Sequence, residues 1–182
     1  MSASSSKTDE ELMQDFQLHG NSDAFNALYA RYNTVLYGYL KNRIGGNANV
    51  DELFQDIWTN IIKAHYQEQS NASFRTWLFT IARNRTTDFY RRTALRAMDT
   101  ETNESDPVDF DSPDEQLSRS QHNQSILAAM QQLPIEQRDV FLLKTESGLS
   151  LQDIANVTGD SFEATKSRYR YAVKKLSQIL DT

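Results

Sequence analysis

Apolar residues recur three and four positions apart along most of this 182-residue chain, the spacing of helices that bury one face. Between residues 50 and 65, Leu53, Ile57 and Ile61 follow one another at four-residue intervals. No segment keeps the two-residue alternation of β-branched residues that is typical of a strand. The pattern therefore predicts an all-α fold.

The clearest helix boundaries lie between residues 150 and 176. A short helix with an apolar stripe ends at Thr158-Gly159-Asp160, where the glycine is able to adopt the left-handed conformation that closes a helix. Ser161 is placed to cap a second helix. The core-facing positions of that helix are predicted to be Phe162, Thr165, Tyr169, Ala172, Val173, Leu176 and Leu180. Two short helices around a tight glycine turn predict a helix-turn-helix.

The outward side of that second helix is basic. Five cations and no acid lie between Lys166 and Lys175. A helix-turn-helix with a basic second helix is typical of proteins that bind DNA in the major groove. The alternative interpretation is a helical hairpin whose cations only keep one face soluble.

The charge is distributed unevenly, although the net charge of −6 by itself disfavours nucleic-acid binding. Residues 97–118 contain eight acids and no cation, whereas residues 31–96 contain ten cations and five acids. The acidic stretch also holds two of the three prolines, which predicts a flexible, disordered linker. We therefore expect two small helical domains, residues 1–96 and 118–182, joined by an acidic linker over residues 97–117.

A second basic segment, rich in arginine and aromatic residues, covers residues 74–92. One side of its predicted helix carries Phe74, Trp77, Leu78, Ile81, Ala82, Arg85 and Phe89, and another carries Asn84, Asp88, Arg91 and Arg92. Aromatic rings among arginines suit contact with a nucleic-acid backbone and with unpaired bases. The alternative is that the aromatic residues belong to the core.

The helix predicted over residues 50–65 has a polar side formed by Glu52, Gln55 and Asp56. This side is either a solvated acidic face or a docking face for a basic partner.

Several functional classes are disfavoured by what the sequence lacks. There is no cysteine, the three histidines are far apart, and no nucleophile motif or glycine-rich phosphate loop is present. We expect no catalytic residue, no metal site and no cofactor. The polar N-terminal residues do not have the apolar core of a signal peptide, so the sequence predicts a cytoplasmic protein.

Six segments together resemble the extracytoplasmic-function (ECF) sigma factors of the sigma-70 family. They are DEELM, AFNALYARY, DELFQDIW, SFRTWLFTIARNRTTDFYRR, LPIEQRDVFLLKTESGLSLQDIANVTG and ATKSRYRYAVKKL, in that order. The resemblance covers nearly the whole chain except the acidic linker, which lies between the fourth and fifth segments.

The resemblance implies a role for each polar surface. The polymerase-binding residues are Glu52, Gln55 and Asp56. The residues that engage and open the minus-ten promoter element are Trp77, Arg83, Asn84, Asp88, Arg91 and Arg92, and the preceding loop, residues 67–73, helps to capture a flipped base. The residues that bind the minus-thirty-five element as duplex are Lys166, Ser167, Arg168, Arg170 and Tyr171.

The implied partners are core RNA polymerase, through its beta-prime clamp helices and beta flap, promoter DNA and an anti-sigma factor, with no small-molecule substrate. Arg170-Tyr171 departs from the family pattern of an aromatic residue or His followed by Arg, so no promoter sequence is carried over. Two other functions remain as alternatives. One is a stand-alone helix-turn-helix regulator, and the other is a sigma-like decoy that only binds an anti-sigma factor.

Overall fold

A computed structural model describes residues 7–45, 49–64, 72–99 and 117–181 of the chain. Within these residues the structure consists of α-helices and contains no β-strand, which confirms the all-α prediction. The helices of the N-terminal half are α1 (Asp9–His19), α2 (Ser22–Ile44), α3 (Val50–Lys63) and α4 (Phe74–Asp99). Those of the C-terminal half are α5 (Leu117–Gln131), α6 (Ile135–Thr145), α7 (Leu151–Thr158) and α8 (Phe162–Leu180). The predicted linker falls almost entirely outside the described residues, except for the end of α4 and the first residue of α5.

Local capping explains where the first helices begin and end. The Thr8 hydroxyl accepts a hydrogen bond from the Glu11 amide at 3.2 Å, and the Glu11 carboxylate accepts one from the Thr8 amide at 2.7 Å. This reciprocal pair forms a capping box at the start of α1. At the end of α2, Gly45 adopts the left-handed conformation with φ of 80°. Its amide donates to the Lys41 carbonyl, which closes the helix.

Helices α2, α3 and α4 bury a shared apolar face. The inward positions predicted for α3, Leu53, Ile57 and Ile61, are all buried. Phe79 of α4 is fully buried against Tyr39 of α2, with the two rings edge to face at 5.5 Å. This aromatic residue therefore belongs to the core, as the alternative interpretation of the arginine-rich segment proposed.

Helix α1 is held on this core by polar contacts as well as apolar ones. The Tyr32 hydroxyl donates to the Asp9 carboxylate, and Arg31 Nη1 donates to the same carboxylate at 2.6 Å. Burial, together with the hydrogen bond to Asp9, raises the pKa of Tyr32 to about 12. The phenol therefore remains a neutral donor at physiological pH.

The C-terminal half contains the predicted helix-turn-helix, formed by α7 and α8. Gly159 closes α7 with φ of 75°, and the Ser161 hydroxyl caps α8 by accepting from the Ala164 amide at 3.2 Å. The buried face of α8 is a narrow stripe of Thr165, Ala172 and Leu176.

Three residues predicted to face the core of α8 are instead substantially exposed. Phe162 is 40% exposed, Val173 39% and Leu180 44%. Phe162 is the first residue of α8, and helical side chains lean toward the N-terminus, so its ring projects past the helix end. Val173 lies one position round from Ala172, outside the narrow buried stripe, and Leu180 is the last residue of the helix. The prediction for these three positions was wrong.

Arg138 of α6 fixes the end of α5. Its guanidinium is almost entirely buried and donates to the carbonyls of Met130 at 2.9 Å, Gln131 at 2.8 Å and Leu133 at 3.3 Å. The last carbonyls of a helix have no partner within the helix, so these bonds remove a desolvation cost. The α5–α6 turn is therefore organised around one buried arginine.

The two halves are joined by a buried polar network, which we name the interdomain clasp and define as Arg43, Arg83, Thr86 and Asp139. Arg43 of α2 is 1% exposed and Asp139 of α6 is 2% exposed. Arg43 Nε lies 2.5 Å from Asp139 Oδ1 and Nη2 lies 2.9 Å from Oδ2, which is a bidentate pair. Arg43 Nη1 donates to the Thr86 hydroxyl, and Arg83 Nε donates to Asp139 Oδ2 at 3.1 Å.

We expect Gly159→Ala to destabilise the protein through the backbone alone. A Cβ atom at position 159 would have no heavy atom within 4 Å, so the left-handed φ is the sole source of strain. The expected loss is about 1–2 kcal/mol of unfolding free energy, measured by urea denaturation followed by circular dichroism at 222 nm. Gly159→Asn is the control, because Asn tolerates this conformation better. Equal losses for the two variants would contradict this account.

Candidate nucleic-acid and polymerase interface

The polar side of α3 is exposed as predicted. Glu52, Gln55 and Asp56 all lie on solvent-facing positions, opposite the buried Leu53 and Ile57. Amphipathic spacing explains this arrangement, because residues three and four apart share one helix face.

Arg85 of α4 ties this polar face to the neighbouring helix. Its Nε atom lies 3.5 Å from Asp56 Oδ2, and its Nη2 atom donates to Asn60 Oδ1 at 2.7 Å. The sequence placed Arg85 on the inward side of α4, and the structure makes it a partly buried bridge between α3 and α4. Asp56, which is predicted to bind polymerase, therefore also forms an ion pair within the chain.

The bridge lies in a cleft of about 230 Å³ between α3 and α4. Its lining residues come from both helices and are Glu52, Leu53, Asp56, Arg85, Phe89 and Arg92. Two residues predicted to bind polymerase thus lie beside one predicted to bind the minus-ten element.

The six residues predicted for the minus-ten element divide into two groups in the structure. Asn84, Arg91 and Arg92 are exposed, and the half-exposed Asp88 lies 3.8 Å from Arg91. Trp77 is partly buried, packs against the core and lies 5.8 Å from the Phe74 ring. Arg83 is engaged in the interdomain clasp.

The loop predicted to capture a flipped base, residues 67–73, lies mostly outside the described residues. Its last residue, Ser73, accepts a hydrogen bond from the Thr76 amide at 3.1 Å. That contact satisfies one of the first free amides of α4.

The predicted minus-thirty-five residues lie along α8. Lys166, Arg170 and Tyr171 are exposed, whereas Ser167 and Arg168 are partly buried. Arg168 pairs with Asp160 in the turn of the helix-turn-helix, so part of its charge is neutralised within the chain. The Arg170 guanidinium lies 5.5 Å from the centroid of the Tyr171 ring. Lys166 and Arg170 are one helical turn apart and share a face.

An aromatic surface formed by Tyr29, Tyr37 and Phe54 was not predicted. These residues, with Asn33 and Thr34, line an open cleft of about 350 Å³ on α2 and α3. The Tyr37 hydroxyl donates to Asp51 Oδ1 at 3.1 Å, and this hydrogen bond raises the pKa of Tyr37. This surface was predictable from the sequence. Residues four apart share one helix face, and Tyr29, Asn33 and Tyr37 have that spacing.

The interdomain clasp was also missed by the sequence analysis. Burial opposes the charge of Arg43, but Tyr39 and Asp139 outweigh it, so the pKa of Arg43 lies above its ordinary value. Tyr90 donates to the Arg43 carbonyl at 2.6 Å, and burial raises the pKa of this tyrosine. Arg43 follows Leu36 and Tyr39 at helical spacing and therefore lies on the apolar face of α2. A charged residue is rarely buried without a partner, so this position was the one sequence signal of a buried ion pair.

The described residues contain neither a candidate metal cluster nor a candidate membrane span. No group of three or more His, Cys, Asp or Glu side chains in them could hold a metal ion. None of the helices in the same ranges is both long and apolar enough to cross a bilayer.

Two family models match the chain, one in each half. Sigma-70 region 2 matches residues 28–96, and Sigma-70 region 4 matches residues 123–176. The chain belongs to the ECF branch of the sigma-70 family. Most of the arginine-rich α4 falls within the first match, and most of the helix-turn-helix falls within the second.

Curated relatives are between 24% and 30% identical to this family member over the aligned residues. The ECF RNA polymerase sigma factor BldN of Streptomyces coelicolor is 30% identical over 88% of this chain and 62% of its own length. The chain therefore spans less than two thirds of that relative. The ECF RNA polymerase sigma factor RpoE of Cereibacter sphaeroides is 29% identical over 98% of both chains.

Solved structures show the same fold. CnrH, in complex with the cytosolic domain of CnrY, matches with a TM-score of 0.68 and 25% identity over 96% of this chain and 98% of its own. The sigma factor RpoE of Bartonella quintana, in complex with the anti-sigma factor NepR, matches with a TM-score of 0.65 and 22% identity. That match covers 87% of this chain and 97% of the Bartonella chain.

We expect Asp56 and Arg85 to be energetically coupled. A double-mutant cycle of Asp56→Ala and Arg85→Ala should give a coupling of about 0.5 kcal/mol, the ordinary value for a partly exposed ion pair. Urea denaturation of the single and double variants measures it. The matched control pairs Gln55→Ala with Arg85→Ala, because Gln55 is exposed, uncharged and adjacent to Asp56. A coupling no larger than that of the control would contradict a stabilising role for this ion pair.

Proposed function

We propose that this sigma-70 family member binds core RNA polymerase and directs it to promoters with two separate elements. The observation that carries the proposal is that one chain presents two exposed cationic helices, each within a different matched sigma region. Helix α4 exposes Arg91 and Arg92, and helix α8 exposes Lys166 and Arg170. The chain works without a cofactor and is not itself an enzyme, because the polymerase performs the chemistry of transcription.

Helix α8 binds the minus-thirty-five element as duplex in this proposal. The second helix of a helix-turn-helix lies in the major groove, where arginine and lysine recognise base edges and phosphates. Lys166, Arg170 and Tyr171 are the exposed residues that support this role. Arg168 positions the turn through its pair with Asp160, and Ser167 makes a peripheral contact at most.

Helix α4 binds the minus-ten element through its solvent-facing residues. Asn84, Asp88, Arg91 and Arg92 form this contact, with the two arginines on phosphates. Trp77 and Arg83, whose side chains are partly buried or already paired, require a rearrangement of the chain before they reach DNA.

The polymerase contacts are assigned to two surfaces in this proposal. The beta-prime clamp helices bind Glu52, Gln55 and Asp56, and the beta flap binds the C-terminal half.

Each half neutralises few phosphates and binds DNA weakly alone. Fixing both on one polymerase makes the second contact effectively intramolecular, which raises the overall affinity. The protein acts in the cytoplasm, where the polymerase and promoters are located.

An anti-sigma factor regulates the protein in this proposal. The support is that CnrH and the Bartonella RpoE, both similar in fold, were solved in complexes with CnrY and with the anti-sigma factor NepR. The exposed cations on α4 and α8 disfavour a decoy that has lost DNA binding.

The domain boundaries that we propose are residues 1–96 and 118–182.

Transcription in vitro with purified core polymerase tests the proposal. We expect new start sites on fragments of the source genome when the protein is present, preceded by a shared two-part motif. Binding to core without new transcripts would instead identify a decoy. Failure to bind core, with tight binding to a symmetric duplex, would identify a stand-alone regulator.

We expect Arg170→Ala to reduce transcription because it weakens binding to the minus-thirty-five element. The loss of binding free energy should be about 1–3 kcal/mol if the guanidinium contacts a base in that element. The measurement compares initiation on two promoters that differ only in the presence of that element. The promoter without the element is the control, because Arg170 has no base to contact there. An equal loss on both promoters would contradict the assignment of Arg170.

A further inference from the structure

Helix α1 contacts the end of α3 and the start of α4 through two side chains. Gln17 Nε2 donates to the carbonyl of Ala64, the residue that ends α3, at 2.8 Å. Glu10 Oε1 accepts from the amide of Phe74, the first residue of α4, at 2.8 Å. Glu10 and Gln17 are two helical turns apart, so they lie on one face of α1. That face holds the two helices that carry the proposed polymerase and minus-ten surfaces.

Both contacts satisfy backbone groups that helix ends leave free. The first amides and the last carbonyls of a helix have no partner within it. Phe74 is fully buried, and the first turn of α4 contains no acid of its own. The Glu10 carboxylate therefore supplies both an acceptor and the negative charge that favours a helix N-terminus. Ala64 ends α3 in an extended conformation with ψ of 149°, and Gln17 gives its carbonyl a donor.

Helix α1 is itself fixed on the core. Its residues Leu12 and Met13 are buried. At its start, the Asp9 carboxylate accepts hydrogen bonds from Tyr32 and Arg31 of α2. Apolar burial on one side and this polar contact on another restrict both the depth and the rotation of α1. The face with the two contacts therefore has a defined position relative to α2.

The spacing between the end of α3 and the start of α4 depends on such contacts. The nine residues between Ala64 and Phe74 could span about 30 Å if extended, so chain length leaves this spacing open. The Phe74 ring lies 5.8 Å from the ring of Trp77, which is predicted to engage the minus-ten element. The position of Phe74 is thus passed on to Trp77. The rearrangement that brings Trp77 to DNA starts from a fixed backbone.

From these contacts we propose that Glu10 and Gln17 are positioning residues, through which α1 holds α3 and α4 at the spacing that opening of the minus-ten element requires. The proposal deepens the proposed sigma-factor function and rests on it. Taking a base out of the stack costs free energy, and groups that receive the base offset this cost only when they are already in place. In this role neither residue touches DNA.

Hydrogen exchange tests the contact at the start of α4. In Glu10→Ala the Phe74 amide loses its acceptor, so we expect it to exchange with solvent about tenfold faster, measured by NMR. Glu10→Gln is the conservative variant, because its amide oxygen still accepts a hydrogen bond. It should keep the exchange rate close to that of the unmodified chain. Unchanged exchange in Glu10→Ala would overturn the proposal, because the contact on which it rests would be absent.

Transcription in vitro with core polymerase tests the positioning role. Two templates carry the same promoter, one fully paired and one with mismatches that open the minus-ten element in advance. The double variant with Glu10→Ala and Gln17→Ala should initiate about tenfold less on the paired template and less than about threefold less on the opened one. Its binding to core should be unchanged. Gln14→Ala is the matched control and should initiate normally, because Gln14 is an exposed glutamine on the same helix.

The two templates separate positioning from a general effect on the fold. Equal losses on both templates, weaker binding to core, or no loss on either template would each overturn the positioning role. If the unmodified chain initiates on neither template, the proposed sigma-factor function fails, and the positioning role fails with it. If the unmodified chain initiates on both and the double variant loses equally on both, only the positioning role fails.

Discussion

One buried ion pair, between the guanidinium of Arg43 and the carboxylate of Asp139, joins the two halves of this chain. Arg43 and Asp139 satisfy each other through two parallel hydrogen bonds, and Thr86 and Arg83 take up remaining capacity at the site. An unpaired charge in such a place carries a large desolvation cost, so the pair tolerates only arrangements that keep both partners together. The pair helps to fix the orientation of α6 on α2 and α4, because its hydrogen bonds are directional whereas apolar packing is less selective about orientation.

The distribution of charge suits the proposed binding of DNA only when core polymerase is present. The chain is acidic overall, yet its exposed cations are concentrated on α4 and α8. Neither helix carries enough cations to hold DNA tightly at physiological salt. Asp160 and Asp88 lie beside cations on these surfaces and reduce their charge further. Weak, separate surfaces make DNA binding conditional on a scaffold that presents both at once.

Local features were predictable from the sequence, whereas features that join distant segments were not. The Gly159 helix end and the Ser161 cap each depend on residues within a few positions, and both are present as predicted. The Arg43–Asp139 pair joins residues 96 positions apart, and nothing in the spacing of either residue identifies its partner. The prediction for Val173 was wrong because helical periodicity gives the centre of a buried stripe but not its width. The prediction for Phe162 was wrong because periodicity does not show that a side chain at the first position of a helix projects past its end.

The cleft between α3 and α4 brings residues proposed to bind polymerase next to a residue proposed to bind the promoter. Glu52 and Asp56, on the proposed polymerase side, line the same cleft as Arg92, on the proposed DNA side. Arg85 connects them by holding Asp56 and Asn60 from α4, the helix proposed to bind the minus-ten element. If a polymerase contact drew Asp56 away, Arg85 would lose this partner, and a DNA contact that drew Arg85 away would release Asp56. Such a coupling would be reciprocal, so each partner would change the affinity for the other by the same factor.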